Sequence, residues 1–269
     1  MVGSILRNGL SGCSPWYTLL MSFVVRHRQA KSLLSKSRIE GIDYCVNPYV
    51  GCSHGCRYCY AVFMKRFSGH QEPWGTFVDA KINGVSVLER QLSKAPRGLV
   101  LMSSVTDPYQ PLEQKLRLTR GCVEALARHD FPLQVLTKSP LVLRDIDLFS
   151  TLSAVEVGIT LTTDDEKMRR LFEPHAPPIR ERTGALRRLS QGGIRTYAFL
   201  GPILPMDPER LVHMIEPYVT SVLIDRMNYR WKTATLYRQN GLLPWLDRYF
   251  VMDIEDRLLK ALNGKARMV

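Results

Sequence analysis

The chain has 269 residues, of which 45% are hydrophobic, so it can form one barrel-sized domain or two small domains with a sizeable core. Its 37 basic and 25 acidic residues give a formal charge of +12, which favours anionic partners such as nucleic acid. A generally basic, solvated surface explains the same charge. Six cysteines without a visible disulfide framework argue against a disulfide-stapled secreted protein and predict a reducing, cytoplasmic compartment.

The first 27 residues carry little pattern, and we predict that they form a poorly ordered N-terminal extension. An apolar stretch from Trp16 to Val25 lies between two arginines. At about ten residues this stretch is too short to span a membrane, which needs roughly 20. A clear small-residue cleavage site of a signal peptide does not follow it. We therefore predict no membrane association and place the main domain at residues 28–242.

A cysteine-rich loop at residues 47–61, NPYVGCSHGCRYCYA, is the most informative part of the chain. It holds Cys52, Cys56 and Cys59 with the spacing C-x3-C-x2-C. Thiolates this close repel one another unless a metal or a cluster takes up their charge. A structural zinc site normally has four closed ligands, and His54 as the fourth would strain the tetrahedron. Three thiolates without an evident fourth instead fit a four-iron cluster with one iron open to an outside ligand.

Apolar runs that alternate with helical periodicity flank and follow this loop. Continuous apolar runs predict buried strands, and apolar residues at helical spacing predict helices. The predicted strands lie at residues 42–46, 98–104, 132–137, 155–161, 194–200 and 221–227. The predicted helices begin near residue 61 and lie at 85–92, near 123–129, and at 141–152, 164–172, 179–191 and 211–218. We predict a mostly helical tail, residues 243–269, packed on the main domain.

The alternation of six strands with helices predicts an α/β fold with a parallel sheet and right-handed crossovers. Six units are fewer than the eight of a complete barrel, and a doubly wound sheet fits the same alternation. The remaining cysteines, Cys13, Cys45 and Cys122, are predicted to lie outside the metal site. Cys45 in the first predicted strand is interpreted as a small buried hydrophobe.

Polar residues follow the predicted strands at their carboxyl ends, where parallel α/β folds place their active sites. These residues are Ser103, Ser104, Thr106, Asp107 and Tyr109 after the second strand, Thr137 and Lys138 after the third, and Thr160, Thr162 and Thr163 after the fourth. A zwitterionic ligand would need both the acceptors and the cation in this set. For each side chain, a role in a turn or a loop is the alternative.

The C-x3-C-x2-C spacing, with Tyr58 just before the last cysteine, resembles the radical S-adenosylmethionine (SAM) superfamily. The flanking residues resemble its spore photoproduct lyase-like branch: Asn47, Pro48, Gly51, Tyr60 and Ala61. The resemblance implies a partial (β/α)6 barrel of the TIM type and a 4Fe-4S cluster on the three cysteines. It also implies SAM on the open iron, reductive cleavage to a 5′-deoxyadenosyl radical, and an external electron donor such as flavodoxin or ferredoxin.

The same resemblance implies roles for individual polar residues in binding SAM. It implies that Ser103, Ser104 and Asp107 lie near the amino group, Lys138 near the carboxylate, Thr160 and Thr162 near the ribose, and Tyr58 at the adenine. The EPHAPP segment resembles an EP-x-AP element of the branch. Its Glu173, with Arg182 downstream, is predicted to reach the cofactor or the substrate.

One residue departs from the branch. Spore photoproduct lyases have a cysteine at the end of the second strand that returns hydrogen to the product radical, whereas this chain has Ser104-Val105-Thr106-Asp107. We predict Tyr109, Tyr197 and Tyr229 as candidate substitutes, with packing as the alternative for each, and Tyr109 is the first to test. The substrate is unidentified, and eight basic residues within 167–195 fit either a groove for nucleic-acid phosphates or a solvated helical face. The alternative function is a non-catalytic metal- or nucleic-acid-binding protein with a structural cysteine site.

Overall fold

The computed structural model describes residues 24–227 and 229–269. Its strands are β1 (Val24–Arg28), β2 (Leu34–Lys36), β3 (Tyr44–Val46), β4 (Tyr49–Val50), β5 (Phe77–Lys81), β6 (Val100–Met102), β7 (Leu133–Thr137), β8 (Val155–Thr160), β9 (Arg195–Leu200), β10 (Ser221–Ile224) and β11 (Ala266–Met268). The α-helices are α1 (Lys65–Ser68), α2 (Gly84–Leu92), α3 (Glu113–Leu116), α4 (Leu118–Arg128), α5 (Ile146–Phe149), α6 (Glu166–Phe172), α7 (Ile179–Gln191), α8 (Pro208–Ile215), α9 (Arg230–Gln239) and α10 (Arg248–Ala261). Short 3-10 helices lie at Tyr60–Met64, Pro140–Asp145, Glu216–Tyr218 and Leu243–Leu246.

The main sheet has eight strands in the order β2-β3-β6-β7-β8-β9-β10-β11. From β3 to β10 the neighbours follow chain order and every pair is parallel, which confirms the six predicted strands. An antiparallel β2 lies beside β3 at one edge, and a parallel β11 lies beside β10 at the other. Because β2 and β11 are separate edges, the sheet is an open, partial barrel rather than a closed one.

The strands alternate between a face packed on helices and a face turned to the barrel interior. Val157 and Ile159 of β8 belong to the main hydrophobic core, whereas Gly158 between them lies under the ring of Tyr197 from β9. A Cβ atom on Gly158 would come within 2.1 Å of that ring. The Tyr197 hydroxyl donates to the carbonyl of Val135 at 3.0 Å. Tyr197 therefore fills the barrel interior at this level. The candidate site is expected at the mouth formed by the carboxyl ends of the strands.

Aspartate side chains define where several helices begin. Asp165, Asp207 and Asp247 precede α6, α8 and α10, and each accepts a backbone N–H of the first turn. Such caps satisfy donors that the helix itself cannot pair. Within the described ranges, the helices are all too short or too polar to cross a membrane.

The two predicted terminal segments need correction. Residues 24–27 belong to β1, which pairs in parallel with β5 in a second sheet of the order β1-β5-β4, so the predicted extension does not reach residue 27. Residues 1–23, including Cys13, lie outside the described part of the chain. The tail at 243–269 contributes α10 but also β11, a strand of the main sheet, because its last residues pair with β10. Helix α9 was not predicted, since its sequence RWKTATLYRQ lacks a clear apolar face.

Candidate active site

The cysteine-rich loop is tied to the carboxyl end of β6 by hydrogen bonds from side chains to the backbone. Oδ1 of Asn47 accepts the N–H of Ser104 at 3.0 Å and that of Val105 at 3.1 Å. Oε1 of Gln110 accepts the N–H of Ser53 at 3.0 Å. Because these bonds satisfy backbone donors that no strand or helix pairs, they fix the loop in one conformation.

A glycine lets the loop pass close to the smaller sheet. Gly51 has a φ of +87°, a conformation that side-chain-bearing residues rarely adopt. A Cβ atom there would lie 2.4 Å from the carbonyl oxygen of Phe77. The Thr106 hydroxyl donates to the Gly51 carbonyl at 2.5 Å. The first cysteine therefore follows a turn that needs glycine for both its conformation and its space.

The three cysteines of the loop are free thiols in a largely desolvated setting. Cys52 and Cys56 are buried, and Cys59 is half-buried. Burial raises the pKa of Cys56 and of Cys59 to about 11, while the nearby Lys138 acts to lower both. The Lys232 ammonium donates to the Cys59 carbonyl at 3.2 Å. Thiols in this setting gain from a cationic metal centre that takes up their negative charge.

Within residues 24–227 and 229–269, no group of three or more His, Cys, Asp or Glu side chains is arranged to hold a single metal ion. The assignment of the three cysteines as cluster ligands therefore stays a prediction, which rests on their spacing and their free thiols.

Asp107 connects the loop to the carboxyl end of β7. Its carboxylate accepts from the Thr137 hydroxyl at 2.6 Å, from the N–H of Lys138 at 2.8 Å and from the N–H of Tyr109 at 2.9 Å. Its Oδ2 lies 3.4 Å from Nδ1 of His54. Burial would raise the pKa of Asp107, but the His54 cation and these hydrogen bonds lower it to about 2. Side-chain and backbone partners within the protein thus engage both oxygens of Asp107, which holds the loop against the end of β7. Its predicted contact with the SAM amino group stays a prediction.

Glu173 is the centre of a second buried network, which collects several predicted site residues. Its carboxylate lies 2.5 Å from Nη2 of Arg182 and accepts from the Thr162 hydroxyl at 2.9 Å and from the Tyr58 hydroxyl. Nζ of Lys138 lies 3.8 Å away. Burial would raise the pKa of Glu173, but the Arg182 and Lys138 cations lower it to about 2. Tyr58, Lys138 and Thr162, each predicted to contact SAM, lie together around this carboxylate, and their contacts with SAM stay predictions.

The remaining predicted SAM contacts lie at the ends of β6 and β8. Ser103 has a φ of +67°, and its buried hydroxyl lacks a hydrogen-bond partner among the described residues, so it can bond to a ligand. The carbonyl of Ser104 accepts from the Tyr60 hydroxyl. Thr160 is buried, and its carbonyl accepts from Nη1 of Arg182 at 3.3 Å. A free polar atom in Ser103 and a cation in Lys138 fit a zwitterionic ligand beside the cysteines.

Tyr109 lies in the packed core of the structure. Its side chain is 0% exposed and belongs to the main core. Its hydroxyl donates to Asp145 at 3.0 Å, and the Arg144 guanidinium lies 5.9 Å from its ring centroid. Burial and the Asp145 carboxylate raise its pKa well above the ordinary value. Packing therefore explains Tyr109 better than hydrogen donation does, and its catalytic role stays untested.

The basic segment at 167–195 is only partly a surface feature. Nη1 of Arg169 donates to the carbonyls of Glu173 and Ala176, each at 3.1 Å, and Arg182 is 1% exposed. Two of its eight cations thus serve the interior, which weakens the interpretation of the whole segment as a phosphate groove.

Sequence reasoning missed Gln110 and Lys232, because both act on the loop from distant parts of the chain.

A family model described as the radical SAM superfamily matches residues 46–216. The chain belongs to the radical SAM superfamily. Radical SAM enzymes use a 4Fe-4S cluster and SAM, so the superfamily and cofactor predictions are confirmed at this level. The matched residues run from the end of β3 to the end of α8 and contain both buried networks.

Relatives of this radical SAM chain occur in archaea, bacteria and a phage. An uncharacterized protein of Methanocaldococcus jannaschii is 35% identical over 75% of this chain and 77% of its own length. An uncharacterized protein of Mycobacterium tuberculosis is 32% identical over 60% of this chain and half of its own length. The radical SAM Nα-GlyT isomerase of Pseudomonas phage M6 is 26% identical over 59% of this chain and 32% of its own length.

Solved structures with the same fold include spore photoproduct lyase complexed with dinucleoside spore photoproduct. That structure is 13% identical, covers 98% of this chain and 87% of its own, and has a TM-score of 0.67. Streptococcus suis SuiB bound to SAM has a TM-score of 0.54 at 12% identity, over 92% of this chain and 50% of its own. These likenesses confirm the partial TIM-type barrel.

We expect the substitution Arg182→Met to destabilise the fold strongly. It removes the main cation of a carboxylate that is 0% exposed, and breaking such a buried pair typically costs about 3–5 kcal/mol. The loss should shrink in acid, because protonation of Glu173 removes the unpaired charge. Urea denaturation of the variant at neutral and acidic pH measures both effects.

The matched control is Arg257→Met, which breaks the exposed pair between Arg257 and Glu209. Exposed pairs contribute little to stability, so this control should unfold close to the wild type. Equal losses in the two variants would contradict the central role of Glu173.

Proposed function

We propose that Cys52, Cys56 and Cys59 bind a 4Fe-4S cluster and that the protein abstracts hydrogen from an organic substrate at the barrel mouth. The observation that supports this most directly is the placement of the Cys56 and Cys59 thiols near the half-buried cation of Lys138 at the carboxyl end of β7, with Cys52 in the same loop. When bound and reduced, the cluster supplies the electron that splits SAM into methionine and a 5′-deoxyadenosyl radical. An external donor such as flavodoxin or ferredoxin would deliver that electron.

The chain's own residues would bind and orient SAM. Burial alone would lower the pKa of Lys138, but Cys56 and Glu173 raise it, so the ammonium stays charged. A charged ammonium beside the cysteines suits the SAM carboxylate, and the Ser103 hydroxyl suits its amino group. Tyr58, held by Glu173, presents a ring to the adenine. Thr162 is already bonded to Glu173, so we propose that it positions this carboxylate rather than touching the ribose.

We propose nucleic acid as the substrate class. The formal charge of +12 supports an anionic partner. The dinucleoside spore photoproduct bound to the structurally similar spore photoproduct lyase points in the same direction. The free thiols of the described residues and the oxygen sensitivity of such clusters support a cytoplasmic location. The alternative, a non-catalytic protein with a structural cysteine site, predicts zinc instead of iron.

Substitution Cys56→Ala should abolish the cluster. A cubane that keeps only two of three thiolate ligands loses its protein attachment, so iron and the brown absorption should fall to background after anaerobic reconstitution. Cys122→Ala is the matched control, since Cys122 is buried in the core on α4 and should keep its iron. Iron at the wild-type level in the Cys56 variant, or zinc in the wild type, would exclude the cluster assignment.

Substitution Lys138→Ala should leave the iron content intact but weaken SAM binding. Loss of a charge-assisted contact to the carboxylate typically costs about 1.5–3 kcal/mol, or roughly a 10- to 150-fold higher Kd. Calorimetry with the reconstituted protein measures it, with the exposed Lys94→Ala as the control. Because Lys138 also neutralises Glu173, a stability measurement on the same sample separates lost binding from lost folding. A folded variant with unchanged affinity would exclude the contact.

The protein should not repair spore photoproduct efficiently. Once the lesion is opened, the product thymine radical must collect a hydrogen atom, and the O–H bond of Ser104 is too strong to supply it as a thiol would. Reconstituted enzyme with a lesion-containing oligonucleotide, SAM and dithionite should form 5′-deoxyadenosine and restore little of the lesion to two thymines. The variant Ser104→Cys tests the reason, since a thiol there should raise the number of lesions repaired per SAM cleaved. Many clean turnovers by the wild type would contradict this prediction.

A further inference from the structure

Exposed aromatic side chains lie in a series beside the cysteine-rich loop. A run of exposed large apolar side chains on a soluble protein commonly marks an interaction site. We call this series the aromatic band, and its members are Tyr60 (46% exposed), Phe63 (40%), Phe67 (77%), Tyr229 (40%) and Trp231 (74%).

One half of the band runs outward from the barrel mouth along the helical segment that follows the last cysteine. The Tyr60 hydroxyl donates to the carbonyl of Ser104, which places this ring at the end of β6. The rings of Tyr60 and Phe63 are stacked with centroids 6.4 Å apart, and Phe63 meets Phe67 edge-on at 6.4 Å. The three rings therefore form a continuous path from the mouth to the surface.

The other half comes from the start of α9 and carries a cation. Nζ of Lys232 lies 4.7 Å from the ring centroid of Tyr229 and 5.6 Å from that of Trp231. The same ammonium donates to the Cys59 carbonyl, so this half lies against the loop. Cys59 directly precedes Tyr60 in the chain, so both halves of the band border the same end of the loop.

The outer end of the band opens onto a cavity lined by two basic side chains and one acidic side chain. Phe67 and Met64 line a cavity of about 260 Å³ together with Arg28 and Lys81. Arg28 is held there by Asp79 at 3.2 Å and by the Ser68 carbonyl at 3.1 Å. The band thus leads from the barrel mouth to two cations and one carboxylate, a local excess of one positive charge.

We propose that the aromatic band binds single-stranded nucleic acid that crosses the barrel mouth. Bases stack on exposed aromatic rings whatever their sequence, and interleaved cations bind the phosphates. Single strands offer free base faces, whereas a duplex hides them. A chain of formal charge +12, with Lys232 within the band and Arg28 at its end, complements such a polyanion.

This inference deepens the proposed function, and it rests on that function because it takes the barrel mouth to be the place of reaction. The binding itself needs neither SAM nor a reductant, so it can be measured where no radical forms. A protein that binds single strands but never cleaves SAM would defeat the proposed function and leave the band in place. SAM cleavage without strand binding would support the proposed function and exclude strand binding by the aromatic band.

The test is fluorescence anisotropy with the reconstituted full chain and a labelled oligonucleotide of about ten nucleotides, single-stranded or in a duplex. The single strand should bind at least about fivefold more tightly than the duplex. Phe67→Ala and Trp231→Ala should each raise the Kd by about fivefold or more, because stacking on one ring contributes about 1–3 kcal/mol. The matched control is Tyr249→Ala, which removes an 80% exposed ring on α10 outside the band and should change nothing.

Salt dependence separates the rings from the cations. Arg28→Gln should reduce the slope of log K against log salt by about 0.7, the value for one phosphate contact on a single strand, whereas Phe67→Ala should leave the slope unchanged. Tighter binding of the duplex, or wild-type affinity in both ring variants, would overturn the proposal. Concentration-dependent dimers that disappear in the ring variants, without strand binding, would show that a second copy of the chain covers the band.

Discussion

The carboxylate of Glu173 is the constraint on which the candidate site depends. A buried charge is costly unless cations and donors surround it, and this one has Arg182 at 2.5 Å and the hydroxyls of Tyr58 and Thr162. These partners come from α7, the cysteine-rich loop and the segment after β8. One charge therefore sets the relative positions of three segments far apart in the chain.

Asp107 performs the same task on the other side of the loop. It joins the end of β7 to His54, whose pKa is about 9 because the Asp107 carboxylate and the Cys52 thiol raise it against the effect of burial. The cysteines thus lie between two internal anion–cation systems, with Lys138 beside Cys56. This arrangement holds positive charge next to thiols that must lose their protons to bind metal.

The six core strands and most helices could be predicted because their apolar patterns are local and strong. The edge strands β1 and β11 could not be predicted in this way. β1 and β11 are strands only because β5 and β10 offer partners, and α9 has no apolar stripe to reveal it. At the candidate site, the sequence places Lys138 at the carboxyl end of a predicted strand, and Lys138 does follow β7, while its contact with SAM stays a prediction. The burial of Tyr109 against Asp145 depends on tertiary packing that no spacing encodes.

The shape of the barrel limits what can reach the site. Tyr197 packs over Gly158 and fills the interior, so entry from the amino ends of the strands meets a packed core. The carboxyl-end mouth is different, because the main sheet has separate edges at β2 and β11 and does not close around it. A small ligand needs no such opening, whereas a polymer must enter and leave along a surface. The exposed rings beside this mouth are therefore in keeping with the proposed polymer substrate, which needs such a surface.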